Sequence, residues 1–497
     1  MTLKRRTTCW GDSPLSWAEI YPWRSPEAGA PVIRQVYDQV RDAIMSGALK
    51  PGGRLPSSRD FAARLGVARA SVVAAYEQLL AEGYAAARGG SGTYVSEDLS
   101  GVAELRPAVV ETSRAPPSIP ARVRDLDEIA LPEPRPEARL FATGRTLLDA
   151  RAFDAWSRST RRALRTLGPV HFGYSDPRGD AELRAAIADY LRAARGVTCT
   201  PDQVIVTAGA QHAVDIAVRV LLKTGDKVWN EDPGYLATRH ALVSAGAEVS
   251  YVPVDRFGMV VAAGVAAAPD AKVACVTPSH QYPLGVTLSM GRRLELLAWA
   301  RDAGAWIIED DYASEFRYDG PPLASLQSLD GGERVIYVGT LNKALFPGLR
   351  LGYAVVPQAL AGAFANARQL MDRQPPTLTQ AIVLDFMREG QFAAHIRRRR
   401  IAYKAQRDVL AAELSARLGA VMEVEVPDGG MHMIAYLKGD RSDLEVEAAA
   451  AEAGLSVRAI SRLYRQAQPR SGLMLGFTGF PARAMAGGVA RLEKALT

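Results

Sequence analysis

Cysteine is scarce in this sequence. Three residues, Cys9, Cys199 and Cys275, stand far apart in a chain of 497. They offer no disulfide framework and no paired-thiol metal motif, so no metal site is expected and a reducing compartment is. Long apolar runs are also missing. None approaches the ~18 residues of a membrane span, so no membrane partner is expected. Met1–Pro14 holds Lys4, Arg5 and Arg6 with no apolar stretch after them. No secretory leader is therefore expected, and the cytoplasm is the expected location. No P-loop is present, and no G-x-G-x-x-G follows a strand, which argues against Walker-type and dinucleotide binding. No fixed-period repeat appears. What remains is a chain 48% hydrophobic and 23% charged. Such a chain folds, and at roughly 100–200 residues per domain it makes two to four domains. Its net charge of +6 is spread thinly; it permits nucleic-acid binding and does not demonstrate it.

Three stretches differ in texture. Residues 30–96 alternate short apolar-periodic segments with turn residues. Residues 97–140 hold seven prolines (107, 116, 117, 120, 132, 134 and 136) and few large apolar residues, which reads as an extended linker. From 141 to 497, apolar strand-like runs alternate with Ala/Leu/Arg-rich helical runs. The expected strands are Val204–Thr207, Lys227–Trp229, Glu248–Val252, Val273–Thr277, Trp306–Glu309 and Val335–Val338. Helices such as Gln211–Leu222 and Gly291–Ala303 separate most of them. This alternation predicts a mostly parallel sheet covered on both faces, with its ligand site outside the carboxyl ends of the strands.

The first stretch contains LPSSRDFAARLGVARASVVAAYEQLLAEGYAAARGGSGTYV, residues 55–95. Ser57 or Ser58 caps a short helix to Leu65, and Gly66 permits a turn. A second helix begins near Ser71 and presents Val72, Tyr76, Leu79 and Leu80 on one face. Ala85–Arg88 and Thr93–Val95 flank a Gly-rich tip. Helix, tight turn, helix and hairpin make a winged helix-turn-helix in outline. Six basic and three acidic side chains lie between Lys50 and Val95. Arg59, Arg69, Ser71, Arg88, Gly89 and Gly90 offer cations or free backbone N–H groups to phosphates and base edges. The run also resembles the winged-helix domain of the GntR family, which implies operator DNA as partner and these residues as its DNA-facing positions.

In the long third stretch, Lys343 follows a strand. Upstream, Glu309-Asp310-Asp311-Tyr312 ends another strand, and Thr207–Gln211 turns from strand to helix, a natural anion site. These parts suit pyridoxal phosphate, which needs a lysine, a carboxylate for its ring nitrogen, phosphate donors and a flat neighbour. Six motifs occur in order: GYSDPRG, TAGAQHAVD, EDPGY, PSHQYPLG, EDDYASEFRY and GTLNKALFPGLRLGY. With them the chain from 141 onward resembles a fold-type I aminotransferase, and the whole chain resembles the MocR/GabR family of pyridoxal-phosphate-dependent regulators.

That resemblance implies roles residue by residue. Lys343 would form the aldimine, Asp310 would pair with the ring nitrogen, and Tyr312 would hydrogen-bond the ring 3-hydroxyl. Asp311 is the alternative to Asp310. Tyr235 would stack on the ring. Gly209, Ala210, Gln211, Thr340 and Arg350 would hold the phosphate, with Tyr174 reaching the cofactor of a partner subunit in a head-to-tail homodimer.

Two departures stand out. Tyr282-Pro283-Leu284-Gly285 replaces the usual Asn-Pro-Thr-Gly, leaving His280 or Gln281 to stand in for the asparagine. Met474 stands where the carboxylate-gripping arginine is expected, with Arg239, Arg462 and Arg465 as candidate replacements. Efficient transamination is therefore not expected. The expectation is a regulator that senses a small amine or amino acid by external aldimine formation at Lys343. The alternatives are pyridoxal phosphate itself as effector, with vitamin B6 metabolism as the target, or an active aminotransferase. The basic run Arg397–Arg400, with Lys404 and Arg407, reads as a solvated or subunit-facing helix.

Overall fold

The computed structural model describes residues 23–27, 29–99, 139–146, 149–320 and 322–496. Cys9, the basic N-terminal segment and most of the Pro-rich stretch 97–140 lie outside the described residues. The chain forms two compact units, parted at residues 133/134.

In the first unit, three helices, Val32–Met45, Ser58–Leu65 and Arg69–Ala81, precede a hairpin of β1 (Ala85–Arg88) and β2 (Gly92–Val95). Ser57 is the cap: its side chain accepts from the Asp60 N–H, and Gly66 closes that helix at φ 68°. Only a residue without Cβ takes that left-handed turn at little cost. The last helix starts at Arg69, two residues before Ser71. Val72, Tyr76 and Leu79 are buried with Phe61, Leu65 and the first helix's Val36 and Val40, while Leu80 is half-buried at the edge. The Val32–Met45 helix went unmarked in the sequence, although its apolar face supplies much of this core.

The second unit is built on an eight-stranded sheet in the order β3-β10-β9-β8-β7-β4-β5-β6. Its strands are β3 (Val204–Thr207), β4 (Lys227–Asp232), β5 (Glu248–Asp255), β6 (Gly258–Met259), β7 (Val273–Val276), β8 (Trp306–Asp311), β9 (Val335–Thr340) and β10 (Gly352–Val355). The run β5-β4-β7-β8-β9 is parallel, whereas β10 lies antiparallel between β3 and β9. Period-two alternation sends Ile205, Ile308, Ile336 and Val338 to one face and Trp229, Ile307 and Val335 to the other. Helix Ala210–Leu221 covers the first face, and Met290–Asp302 covers the second.

Two features went beyond the expectation. Strand β4 runs on to Asp232 and β8 to Asp311, so Glu231 and Asp232 sit at a strand end, as Asp310 and Asp311 do. A second, antiparallel sheet, β11 (Met422–Glu425), β12 (His432–Leu437), β13 (Arg458–Ala459) and β14 (Gly472–Gly476), has the order β11-β12-β14-β13. The Asp232 carboxylate accepts the N–H groups of Arg465, Gln466 and Ala467 at 2.7–2.8 Å, tying the large sheet's edge to the loop after β13.

Part of the basic run is engaged within the chain, while Arg397 and Arg400 are exposed. The run lies in the 28-residue helix Gln391–Leu418. Arg398 and Arg399 pair with Asp149 at 3.3 and 2.7 Å, and Arg400 donates to the Glu315 carbonyl at 3.0–3.1 Å. Arg407 is buried against Asp319 at 2.7 Å. The helix passes close enough to these acceptors to use its arginines as struts.

Arg195 and Asp311 form a buried pair at 2.7 Å, and Tyr337 donates its hydroxyl to the same carboxylate oxygen at 2.6 Å. Asp311→Ala strips the counter-charge from a buried guanidinium, which costs about 3–5 kcal/mol. Urea unfolding of the purified variant should show that loss; a midpoint equal to wild type would mean that the pair does not hold the fold.

Candidate functional site

The functional side chains collect outside the carboxyl ends of β3, β4, β7, β8 and β9, where open α/β sheets place ligands. Strand β9 ends at Thr340, whose Oγ1 accepts the Asn342 N–H at 3.2 Å and turns the chain into the short helix Leu341–Ala344. That turn carries Lys343 into the protein. A Cβ on Gly144 would lie 2.3 Å from its Nζ, so any side chain there would push the lysine aside. Burial lowers the lysine pKa; the Arg458 cation adds to this and Asp310 opposes it. A larger share of neutral, nucleophilic amine is therefore present near neutral pH.

Asp310 and Asp311 point to opposite faces of β8. Asp311 is committed to Arg195 and Tyr337. Asp310 has no such partner: its Oδ1 is closed off from solvent and accepts no hydrogen bond. Burial, with the neighbouring Asp311 charge, pushes its pKa up to about 7, while Lys343 pulls the other way. A buried carboxylate without a donor asks for a cationic N–H. The Tyr312 hydroxyl, next along the chain, is likewise closed off without a partner.

On the other side, Gly209 at φ 121° opens helix Ala210–Leu221, and no side chain caps that start. A Cβ on Gly209 would meet Asn342 Nδ2 at 2.8 Å and stand 3.9 Å from the Arg350 guanidinium. Exposed helix-start N–H groups and an arginine converge there as an anion cradle. Gln211 brings only its backbone, since its side chain donates to the Ala237 carbonyl at 3.0 Å.

Aromatic rings wall the space. Tyr235, 40% exposed, meets Tyr282 edge-on at 5.3 Å, and Tyr282 lies 6.1 Å from Tyr312 and 5.7 Å from His432. A narrow cleft is lined by Tyr235, Thr277, Ile308 and Asp310. His280 is buried 6.0 Å from the Tyr312 ring with its Nε2 unpartnered. Burial, His432 and Arg317 together push its pKa down to about 3, so it stays neutral. Gln281 is not available: its amide donates to the carbonyls of Pro233 and Tyr282 at 2.8 and 2.7 Å, and its Oε1 accepts from Leu284.

In the winged-helix unit, Arg59 and Arg69 are exposed, and Ser71 is half-buried in the first turn of its helix. Arg69 Nε donates to Ser58 Oγ at 3.3 Å across the turn. Gly89 and Gly90 form the hairpin tip, where added Cβ atoms would meet nothing within 4 Å. Arg88 differs from the others. It is tied to Glu97 at 2.5 Å and lies over the Tyr94 ring at 4.6 Å.

Comparison with known proteins then gives two domain matches. Residues 32–95 match the bacterial regulatory proteins of the gntR family, and residues 140–470 match aminotransferase class I and II. A probable rhizopine catabolism regulatory protein MocR of Rhizobium meliloti is 38% identical, over 94% of both chains. An HTH-type pyridoxine biosynthesis transcriptional regulator PdxR of Corynebacterium glutamicum is 33% identical, over 91% of this chain and 93% of its own. Among solved structures, the α-aminoadipate aminotransferase LysN of Thermus thermophilus aligns with TM-score 0.66 and 27% identity, over 76% of this chain and 94% of that one. The chain belongs to the MocR family of transcriptional regulators. As in its relatives, a GntR-type helix-turn-helix is joined to an aminotransferase-like domain of fold-type I. Among the described residues, no helix is long and apolar enough to cross a membrane.

Within this MocR-family chain, Lys343, Asp310, Tyr312, Tyr235, Gly209, Ala210, Gln211, Thr340 and Arg350 gather at one edge of the sheet. Tyr174 does not join them. It is 79% exposed, with Arg373 4.0 Å over its ring. Of the replacement arginines, Arg462 pairs with Glu447 at 3.3 Å, and Arg239 leans on its neighbour His240 at 3.3 Å. Arg465 gives its backbone N–H to Asp232. Three residues of the site were missed. Asn342 was legible, lying beside Lys343 in its motif. Tyr282 was noticed only as a departure. Arg458 had no sequence signal, because only the pairing of two short strands brings it there.

The unpaired Asp310 has a measurable consequence without any ligand. An acid whose folded pKa is raised from 3.8 to about 7 binds more protons folded than unfolded, so stability falls as pH rises through that window. Cofactor-free Asp310→Asn should therefore gain Tm over cofactor-free wild type as pH rises from about 4 to about 7 and keep a constant lead above. Thermal unfolding at pH 5 and pH 8 reads this directly; equal gaps at both would show that Asp310 does not titrate there.

Proposed function

We propose that this regulator binds pyridoxal phosphate at Lys343 and uses it to sense a small amine or amino acid, changing how its winged helix engages operator DNA. The unsatisfied groups carry this reading. Asp310 Oδ1 and the Tyr312 hydroxyl lie closed off and unpartnered beside a buried lysine, next to a cradle that a Cβ would fill. Their chemistry matches what the cofactor presents: a ring nitrogen, a phenolic oxygen, an aldehyde carbon and a phosphate. When bound, the cofactor supplies an electron sink and an aldehyde that captures amines.

The residues then divide the work. Lys343 provides the amine, its pKa lowered by burial. Asp310 holds a proton on the ring nitrogen, and Tyr312 binds the ring oxygen. Tyr235, at the start of helix Leu236–Ser244, covers one ring face. Gly209, Ala210, Gln211, Thr340 and Arg350 take the phosphate. Met474 at the usual arginine position argues for sensing over sustained transamination. On the DNA side, Arg59, Arg69, Ser71, Gly89 and Gly90 meet the duplex, and Arg88 stiffens the wing through Glu97. Binding changes DNA affinity only to the extent that the ligand favours one arrangement of the regulator over another.

A second reading keeps the regulator and makes pyridoxal phosphate the signal. The similarity to a pyridoxine biosynthesis regulator favours it. One titration separates the two: protein on the DNA upstream of its own gene, with and without cofactor, at several salt concentrations. A response to cofactor alone supports the second reading. A response that needs an added amine supports the first. Specific binding in neither state, on that DNA or on selected sequences, would overturn both. In the same assay Arg69→Ala should weaken binding and reduce the salt slope by about one.

The assembly is a head-to-tail homodimer in this reading. Val170, Phe172, Tyr174 and Leu370 are 71–88% exposed, and segments 169–175 and 370–377 are stitched together by Gln374 and Thr377. A contiguous exposed apolar patch of this kind asks for a cover. Leu370→Asp should shift sedimentation from dimer toward monomer; an unchanged dimer would place the interface elsewhere.

A further inference from the structure

Arg458 stands on β13 directly opposite Met474 of β14, which in turn pairs with Ile434 of β12. Directly opposed residues of antiparallel strands share a face. Met474 and Ile434 bury that face, and Tyr282, Leu284 and Tyr464 pack against it. Tyr282 is also the ring between Tyr235 and Tyr312, 5.3 and 6.1 Å away. The face that carries Arg458 is therefore continuous with the aromatic wall of the lysine chamber.

Arg458 is exposed and, among the described residues, has no carboxylate within 4 Å. Arg462, four residues on, pairs with Glu447 at 3.3 Å. The cation of Arg458 is felt in the chamber: with burial it lowers the Lys343 pKa, and it opposes the rise that burial imposes on Tyr235 and Tyr282. A positive group that faces a ligand chamber and lacks an anion of its own is a recognition group for an anion.

The geometry points to Arg458 as the residue that grips the anionic end of the effector, displaced by one strand from the position that Met474 fills. The effector class is then a small primary amine carrying a carboxylate or a similar oxyanion, its nitrogen directed to the Lys343 chamber and its anion to the guanidinium. Neutral amines of the same size lose that contact, and a charge-assisted pair of this kind is worth roughly tenfold to a hundredfold in affinity. This inference rests on the amine-sensing reading above and narrows it.

The test uses the full-length, cofactor-loaded protein and matched probes: β-alanine against 3-aminopropan-1-ol, and glycine against ethanolamine. Binding is read from the cofactor's absorption. In wild type, at least one amino acid should act at concentrations tenfold or more below its alcohol. Arg458→Gln should abolish that preference, and Arg458→Lys should restore part of it. A second readout needs no amine. The pH midpoint of the bound cofactor's absorption change should rise in Arg458→Gln, since a cation has been removed, and melting of the loaded protein should match wild type. Equal action of acid and alcohol in wild type, or a preference that survives Arg458→Gln, would overturn the assignment and leave amine sensing standing. If no probe changes the absorption while the loaded protein is intact, amine sensing falls and the assignment with it.

Discussion

Arg195 reaches across the interior to Asp311 and is held by three further acceptors and donors: the Tyr337 hydroxyl on the same carboxylate, the Leu323 carbonyl and the Ser279 hydroxyl. Two buried charges of this kind are tolerable only when geometry satisfies both. The pair fixes the register of β8 against β9 and against the helix Ala181–Arg195. Because side chains alternate along a strand, fixing Asp311 on one face also fixes Asp310 on the other. The bare carboxylate at the centre of the site is thus a by-product of a neighbour that is fully partnered.

Around that carboxylate the protein keeps the site poor in mobile charge. His280 and His432 are both held neutral by burial, and Glu231 is pushed up to about 7, also chiefly by burial, although Thr277 and Gln281 bond it. The remaining charges, Asp310, Arg350 and Arg458, are spaced around Lys343 rather than paired with one another. The Asp232 clamp joins the two sheets that supply them. A ligand that brings opposite charges at matching positions finds the field already arranged, with no reorganisation cost beyond its own ordering.

Much of this was legible from the sequence, for definite reasons. Parallel strands buried on both faces appear as unbroken apolar runs, so β3, β7 and β9 declared themselves. The motif order identified the domain pair and placed most site residues at strand ends. What stayed hidden has physical causes. Strand β10 is antiparallel and only four residues long, and β11–β14 are short and far apart in sequence, so no local period marks them. Several arginines of the helix Gln391–Leu418 looked solvated because charge reads as surface until acceptors 85 to 250 residues away are known to face it. Arg458 belongs to the same class: its importance lies in a cross-strand partner, and pairing register is not written in composition. Arg88 shows the converse, a cation expected at DNA that also has a neighbour of its own, Glu97, with both side chains still exposed.

Gly144 has so far been a gap that lets Lys343 lie close. It also sits in the segment 139–146, which is threaded into the small sheet: Leu140 bridges Leu455, and the Phe141 carbonyl accepts from Gly476. The room beside Lys343 and the seating of this segment on the small sheet are therefore set by one short stretch of backbone. A shift of Gly144 changes both together, so the space left to the lysine is coupled to how firmly 139–146 holds to β14.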